Sequence, residues 1–180
     1  MKIKKSKLAD ALIFEPKLHQ DQRGFFLESF RKNVFSKATN AQFTFVQENH
    51  SRSIKGVMRG LHLQKNRPQG KLVRVTSGSV LDVAVDLRPA SPSFKKWDAV
   101  LLDDIDHKIF WIPPGFAHGF IVLSKSADFV YKCTEYYDSE DEVTINWNDK
   151  DIGIKWPNNI KKVISERDKN GMSLKEYLEL

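Results

Sequence analysis

The chain has 180 residues, of which 41% are hydrophobic and 29% charged, and its formal net charge is +6. Length and composition predict a single folded domain over residues 1–180 and argue against global disorder. No apolar run approaches the roughly 18–20 residues that span a bilayer, so we expect no membrane partner, and the lysine-rich start lacks the cleavage site of a signal peptide.

Charge and cysteine content narrow the partners and the compartment. The lysines are scattered over both ends of the chain, with no basic helix and no RNA-binding strand signature, so we expect no nucleic-acid partner. The same positive field suits a phosphorylated small molecule. The single cysteine, Cys133, excludes an internal disulfide and indicates a reducing, cytoplasmic setting, in which we expect it to be a small core residue.

The first third of the chain contains one predicted helix and one ambiguous polar segment. The helix is predicted over residues 28–39 ("ESFRKNVFSKAT"). The segment 45–51 ("FVQENHS") places Gln47, Glu48 and Asn49 after two apolar residues. Amide side chains supply the paired donors and acceptors that suit a heterocyclic ligand, but this segment is equally consistent with a loop.

The stretch 56–64 ("GVMRGLHLQ") carries Arg59 and His62 inside an apolar run. Strict alternation along a strand would put these two side chains on opposite faces. Gly60 lies between them, and a glycine within a strand often marks a bulge that shifts the register by one residue. With such a bulge both side chains enter one cavity, although His62 is also consistent with a hydrogen-bonded core histidine.

The middle of the chain predicts four strands and two tight turns. Residues 71–88 form two strands around Ser77–Gly78, and residues 107–124 form two around a Pro-Pro-Gly turn. In the second strand, alternation gives an apolar face of Leu81, Val83, Val85 and Leu87 and an opposite face of Asp82, Ala84 and Asp86. Such a strand packs on one side and lines something polar on the other.

The last third continues with strands and ends in a helix. Residues 128–137 and 143–148 are predicted strands, and residues 173–180 a helix with capping-box spacing between Ser173 and Glu176. If the first of these strands is regular, Tyr131 and Tyr137 share a face about 20 Å apart. Many short antiparallel strands with tight turns predict an all-β sandwich, jelly roll or small barrel that binds ligands in its interior or mouth.

A metal site is the first chemical hypothesis that the histidines raise. His118 follows the Pro-Pro-Gly turn as a metal ligand does in cupin barrels, but Gln64 stands where a second histidine would complete an H-x-H pair with His62. Two histidines without a placed carboxylate make a poor site for zinc or iron. We therefore expect no metal.

Eight segments, in order along nearly the whole chain, resemble the dTDP-4-dehydrorhamnose 3,5-epimerase family. They are "DQRGFFLESF", "FVQENHSRS", "GVMRGLHLQ", "QGKLVRVTSGSVLDVAVDLR", "SPSFKKW", "WIPPGFAHGF", "YKCTEYY" and "INWNDKDIGIKWP". Eight ordered segments are far more specific than one short motif. The resemblance implies a cupin-type jelly roll (a double-stranded β-helix) with short peripheral helices, a homodimer, and neither metal nor redox cofactor.

The resemblance also implies a reaction. Family members invert C3 and C5 of dTDP-4-dehydro-6-deoxy-D-glucose to give dTDP-4-dehydro-L-rhamnose, on the route to dTDP-L-rhamnose for bacterial surface polysaccharide. Both carbons flank the C4 ketone, so a base, an enolate stabiliser and an acid on the opposite face suffice. His62 matches the family's base, Asp168 its orienting carboxylate, Lys71 the lysine near the ketone oxygen and Tyr131 the proton donor.

Substrate-binding positions carry over in the same way. Arg59 matches a contact to the diphosphate, where a guanidinium fork fits the oxygens, and Tyr137 matches the aromatic ring that stacks on thymine. Residues that match nucleotide contacts, some of them across the dimer, are Arg23, Glu28, Gln47, Glu48 and Asn49. Residues that match other substrate contacts are His118, Glu142 and Arg167.

Alternative functions remain open from the sequence. Met58 and Leu63 replace residues more usual beside the histidine, and related members act on other nucleotide-linked 4-keto sugars or at one carbon only. A metal-dependent cupin oxygenase would need ligands that the sequence lacks. A non-catalytic sugar-nucleotide-binding protein would keep Arg59 and Tyr137 but could lose His62, Tyr131 or Asp168, all of which are present.

Overall fold

The computed structural model describes residues 1–180 as two β-sheets, one hairpin and three short helices. The first sheet has the spatial order β1 (Lys2–Lys5), β2 (Leu12–Glu15), β10 (Ile109–Ile112), β7 (Lys71–Ser77), β12 (Ser126–Cys133) and β5 (Gln47–Ile54). The second has the order β13 (Glu142–Thr144), β6 (Val57–Gln64), β11 (Phe116–Val122), β8 (Ser79–Asp86) and β9 (Trp97–Asp103), with β14 (Val163–Ile164) also paired to β6. The hairpin joins β3 (His19–Asp21) to β4 (Gly24–Phe26), and the helices are α1 (Lys32–Thr39), α2 (Glu166–Lys169) and α3 (Leu174–Leu178).

Neighbouring strands pair antiparallel throughout both sheets, except that β14 runs parallel to β6. The chain repeatedly crosses from one sheet to the other: β7 lies in the first sheet and β8, directly after the turn at Gly78, in the second. Gly78 has φ +78°, a backbone conformation that glycine adopts without strain. The all-β, cupin-type jelly roll with short peripheral helices is confirmed.

Three apolar clusters hold the sheets together. The largest lies between the sheets and includes Val73 and Val75 from β7 and Phe120 from β11. A second covers the outer face of the second sheet with residues from the C-terminal segment, such as Trp156 and Leu174. A third packs α1 and the phenylalanines around it on the outer face of the first sheet. Side chains from the strands of both sheets therefore pack together in the cluster between the sheets.

Strand β8 shows the predicted alternation. Leu81, Val83 and Val85 belong to the outer cluster, whereas Ala84 belongs to the cluster between the sheets. Asp82 and Asp86 therefore point toward the interior of the sandwich, and both are fully buried. The polar face of this strand borders the interior, as the alternation predicted.

Several predicted elements have different bounds in the structure. The strand predicted over 128–137 is wrong beyond Cys133, because β12 ends there and the chain bends before Tyr137. The helix predicted from residue 28 begins only at Lys32, because Arg31 has extended backbone (φ −142°, ψ 117°). The strand predicted over 143–148 is limited to Glu142–Thr144. The C-terminal helix is confirmed, with a complete Ser173–Glu176 capping box.

The ambiguous segment 45–51 forms most of β5, a strand at the edge of the first sheet. Its residues alternate, so that Gln47, Asn49 and Ser51 point into the sandwich. None of the three helices has the length and apolar character needed to cross a bilayer.

Candidate active site

A cavity of about 290 Å³ lies between the two sheets and is lined by polar side chains from both. The predicted site residues that line it are Gln47, Asn49, Arg59, His62, Lys71, His118, Tyr131, Tyr137 and Glu142. Lys71 and Tyr131 come from the first sheet, whereas His62 and His118 come from the second. A ligand in this space would therefore have functional groups on two opposite sides.

The bulge in β6 is what brings Arg59 and His62 to the same cavity. The register between β6 and β11 shifts between the pairs His118–His62 and Phe120–Arg59, so Met58, Leu61 and Leu63 face the outer cluster instead. Gly60 has φ +111°, and a Cβ atom there would lie 2.5 Å from the carbonyl oxygen of His118. Only glycine fits this close approach, and the predicted shared cavity is confirmed.

His62 forms a short hydrogen bond with a carboxylate on its side away from the cavity. Its Nε2 lies 2.7 Å from Oδ1 of Asp168, a buried residue of α2. Ser165 caps that helix by accepting from the Asp168 backbone, and the Gly60 amide donates to the second carboxylate oxygen. Burial alone would raise the pKa of Asp168, but these bonds, that of His62 foremost, hold it below its ordinary value. An ionised Asp168 fixes the proton on Nε2 and leaves Nδ1 of His62 unprotonated.

Lys71 and Tyr131 face the same cavity from the other sheet. Burial lowers the pKa of the Lys71 ammonium, because the charged form loses water. Burial raises the pKa of the Tyr131 hydroxyl, which therefore keeps its proton at neutral pH. The site thus presents one cation and one neutral proton donor on the side opposite His62.

Tyr137, Glu142 and Arg167 form a hydrogen-bonded group at one wall of the cavity. The Tyr137 hydroxyl donates to Oε2 of Glu142 over 2.8 Å, and Arg167 pairs with the same oxygen. The bond to Glu142 raises the pKa of Tyr137. Oε1 of Glu142 lies 3.9 Å from Nδ1 of His62. Arg167 does not itself line the cavity but lies one contact away from it.

Amide groups on β5 border the position of Tyr137. Oε1 of Gln47 accepts from the Tyr137 backbone amide over 2.8 Å, and its Nε2 donates to Oδ1 of Asn49 over 3.0 Å. Arg59 makes one hydrogen bond, from Nε to Ser53, and both terminal nitrogens have no protein partner. This part of the cavity offers a free guanidinium edge, an aromatic ring and amide groups together.

Besides Arg167, three predicted substrate contacts lie outside the cavity. Arg23 pairs with Asp21 on the β3–β4 hairpin, Glu28 pairs with Arg31, and Glu48 pairs with Lys132 on the outward face of β5. Within one chain these side chains do not reach the other site residues.

Sequence reasoning did not assign Asp82, which contacts the site through His118. Nε2 of His118 lies 2.9 Å from Oδ2 of Asp82, and both residues are buried. The alternation along β8 was the available signal, because it put Asp82 on the polar face. No group of three His, Cys, Asp or Glu side chains is arranged to hold a metal ion.

Cys133 is fully buried next to the cavity wall, opposite Lys71 in the β12–β7 register. Burial raises the pKa of its thiol. It is a core residue, as the sequence predicted.

Comparison with known proteins places the chain among nucleotide-sugar epimerases. The family model described as dTDP-4-dehydrorhamnose 3,5-epimerase matches residues 5–176. The dTDP-4-dehydrorhamnose 3,5-epimerase of Shigella flexneri is 51% identical over 172 residues, which cover 95% of this chain and 94% of that protein.

Solved structures agree with the sequence comparison. The dTDP-6-deoxy-D-glucose-3,5-epimerase of Legionella pneumophila, in complex with dTDP-4-keto-L-rhamnose, superposes with a TM-score of 0.94 at 46% identity, over 97% of this chain and 93% of that one. A 3'-monoepimerase from Streptomyces bikiniensis, in complex with dTDP-quinovose, gives a TM-score of 0.90 at 34% identity over 97% and 89%.

Proposed function

The chain belongs to the dTDP-4-dehydrorhamnose 3,5-epimerase family, and we propose that the cavity between its sheets inverts C3 and C5 of dTDP-4-dehydro-6-deoxy-D-glucose. The protein is an isomerase whose product is dTDP-4-dehydro-L-rhamnose. The observation that carries the assignment of roles is that His62 on the second sheet, bonded to Asp168 of α2, faces Tyr131 and Lys71 on the first sheet. We propose that these residues act without metal or redox cofactor, because both inverted carbons flank a ketone.

His62 removes the proton. Asp168 accepts a hydrogen bond from Nε2–H of His62, so the lone pair on Nδ1 is available on the side of His62 that faces Glu142. The buried carboxylate also stabilises the positive charge that the ring acquires when it takes up the substrate proton.

Lys71 stabilises the enolate. Deprotonation at C3 or at C5 moves negative charge onto the same C4 oxygen, so one cation serves both inversions. In a partly desolvated site that attraction is stronger than in water. Burial lowers the pKa of Lys71, yet Cys133, Glu142 and Asp82 oppose that shift by their negative charge when ionised.

Tyr131 returns a proton from the opposite side. It lies on β12 of the first sheet, across the cavity from β6, which carries His62. Inversion requires that the new C–H bond form on the face opposite the one that was deprotonated, and the two sheets supply that geometry. The raised pKa of Tyr131 keeps the hydroxyl protonated and able to donate.

The nucleotide is held by the polar end of the cavity. The free terminal nitrogens of Arg59 suit the diphosphate, whose oxygens match a guanidinium fork. Tyr137 offers its ring for stacking on thymine, and Gln47 and Asn49 offer amide groups for the base. Glu142, Arg167 and His118 complete the sugar-binding wall.

A deuterium-exchange experiment tests the assignment. In deuterated water with dTDP-4-dehydro-6-deoxy-D-glucose, wild-type protein should incorporate deuterium at both C3 and C5 and give the doubly inverted product by NMR. His62→Ala should slow exchange at both carbons by roughly 10²- to 10⁴-fold, the usual contribution of a positioned base. Tyr131→Phe should retain exchange, because His62 returns a deuteron on the same face, but lose the inverted product.

Tyr177→Phe is the matched control, because Tyr177 packs in the outer cluster away from the cavity. It should match wild type in both readouts. Exchange at one carbon only would instead favour the alternative function, a single-carbon epimerase like the S. bikiniensis relative. Near-normal turnover in His62→Ala would contradict the base assignment.

We also propose that the protein works as a homodimer in the cytoplasm. Arg23, Glu28 and Glu48 match nucleotide contacts of the family yet lie outside the cavity of their own chain. On the same hairpin as Arg23, Phe25 and Phe26 are 55% and 70% exposed. Strand β5 pairs only with β12, so one of its edges has free backbone groups. A second copy on this surface would cover the phenylalanines and bring such residues toward its neighbour's site.

Sedimentation equilibrium tests the dimer. Wild type should have twice the chain mass of 20.8 kDa. Phe26→Asp should shift the mass toward the monomer and weaken dTDP binding together. Leu101→Asp, which alters an exposed apolar residue on the outer face of β9 in the second sheet, should do neither. A monomeric wild type with full dTDP affinity would contradict this proposal while leaving the chemistry intact.

A further inference from the structure

Asp82 is a buried charge whose hydrogen bonding is incomplete. Its side chain is 0% exposed, and Oδ2 accepts one bond from His118 over 2.9 Å. Its other oxygen, Oδ1, is the one buried side-chain nitrogen or oxygen atom of the chain without any hydrogen-bond partner. Burying a carboxylate costs free energy unless its oxygens are satisfied. A strand that needed only stability here would carry an apolar residue.

Asp86, four residues further along the same face, shows what a structural carboxylate looks like in this protein. It is equally buried, but Arg88, Ser91 and Ser93 all donate to it, and both of its oxygens are satisfied. The contrast lies in what surrounds each group. Asp86 receives its hydrogen bonds from loop residues, whereas the Asp82 side chain hydrogen-bonds only with the ring of His118, which lines the cavity together with Lys71.

His118 lies directly opposite His62 across the β11–β6 pair. The two histidines line one cavity, and each has its Nε2 on a buried aspartate. The histidines lie on the neighbouring strands β6 and β11, whereas their aspartates come from α2 and β8. Because Asp82 occupies Nε2 of His118, only Nδ1 of that ring remains for a ligand. The other charged groups around the cavity are Arg59, Lys71 and Glu142.

We propose that Asp82 is a positioning residue for the epimerisation, which holds His118 through Nε2 and balances its positive charge so that Nδ1–H donates to the C4 oxygen beside Lys71. This inference rests on the proposed function of the cavity. A negative charge behind the ring stabilises the doubly protonated form that can donate, the role of the buried carboxylate in a catalytic triad. The unsatisfied Oδ1 is consistent with a group kept for its charge and not for a complete set of hydrogen bonds.

Asp82→Asn tests the role of the charge, because asparagine keeps the shape and an acceptor for Nε2–H. We expect kcat to fall roughly 10- to 100-fold, as for other residues that orient a catalytic group, with KM changed less than about twofold. In a His118→Asn background, Asp82→Asn should have no further effect, because the two residues act as one unit. Asp86→Asn is the matched control, and its folded fraction should keep the wild-type kcat.

A second readout does not depend on turnover. Nitrogen-15 NMR of the His118 ring should show both ring nitrogens protonated in wild type, and Asp82→Asn should shift the ring toward the form with one protonated nitrogen. An unchanged ring, or an equal loss of kcat in both backgrounds, would overturn the proposal. If wild type fails to exchange C3 and C5 protons, the proposed function falls, whereas the NMR result still decides whether Asp82 controls the ring.

Discussion

Strand β8 carries an aspartate in its middle and another at its end, in two different settings. Asp82 and Asp86 are both 0% exposed and both point between the sheets. Asp86 receives hydrogen bonds from Arg88, Ser91 and Ser93, whereas Asp82 receives one from His118 and has a free oxygen. Burial alone therefore does not separate a structural carboxylate from a functional one.

The hydrogen-bond partners distinguish Asp82 from Asp86. Arg88 extends the Asp86 cluster to Asp10 and to the carbonyl of Ala9, and Ser93 accepts from the Ala9 amide. This cluster ties the loop after β1 to the loop after β8, and none of its members lines the cavity. In the middle of the strand, the only side-chain hydrogen bond of Asp82 is with His118, which lines the cavity. The strand is anchored at its end and available for chemistry in its middle.

The largest effect on stability is expected at the anchored end. Asp86→Asn removes the charge that pairs with Arg88 and loses acceptors for two serines, so we expect the free energy of unfolding to fall by about 3 kcal/mol, as when a buried ion pair is broken. Asp82→Asn should cost little or even stabilise the fold, because it neutralises an unsatisfied buried charge. Urea unfolding of both variants at neutral pH measures the difference.

The pH dependence gives a check on the same comparison. Burial alone raises the pKa of Asp86, but the bonds from Arg88, Ser91 and Ser93 outweigh it and hold the pKa below the ordinary 3.8. A lowered folded-state pKa means that the stabilisation is present above pH 3.8 and is lost as the pH falls through the folded value. Equal urea midpoints for Asp82→Asn and Asp86→Asn would show that the two settings do not differ energetically.

Much of the fold was predictable because its strands have strong local signals. Alternation around Ser77–Gly78 and the Pro-Pro-Gly turn gave four interior strands with nearly correct bounds. The edge strands and the strand ends were harder to predict. Strand β1 is entirely exposed and consists of lysines and one isoleucine, so it carries no apolar pattern. The end of β12 was missed because "KCTEYY" keeps a strand-like composition after the ladder with β7 has ended.

The site was predictable to a different degree. Gly60 signalled the bulge, so the shared cavity of Arg59 and His62 followed from physical reasoning. The contact between His62 and Asp168 joins residues 106 positions apart, and only the family resemblance suggested it. Asp82 could not be told from Asp86, because both fit the same alternation and their partners come from distant segments. The alternation along a strand predicts the face on which a side chain lies, but it does not predict which residues of other segments contact that face.

A third carboxylate, Asp128, extends the comparison to the rim of the first sheet and carries the smallest expected effect. Arg52 donates to both of its oxygens over 2.8 Å, and His50 lies 3.1 Å from one of them. The bonds from Arg52, and then that from His50, lower the pKa of Asp128 to about 2. Its stabilisation is therefore complete above pH 3.8 and is lost as the pH falls toward about 2.

Asp128→Asn should lower stability near neutral pH, but by less than Asp86→Asn does, because Arg52 and His50 are largely exposed and solvent screens such pairs. Its effect should appear as a shallower fall of the urea midpoint between pH 4 and pH 2 than in wild type. Asp151→Asn is the control, because the Asp151 side chain is exposed and accepts no hydrogen bond. Asp128→Asn could instead destabilise the protein at pH 7 as much as Asp86→Asn does. A carboxylate at the rim would then contribute as much to the free energy of unfolding as one in the interior. That result would show that burial of the partners does not determine the contribution.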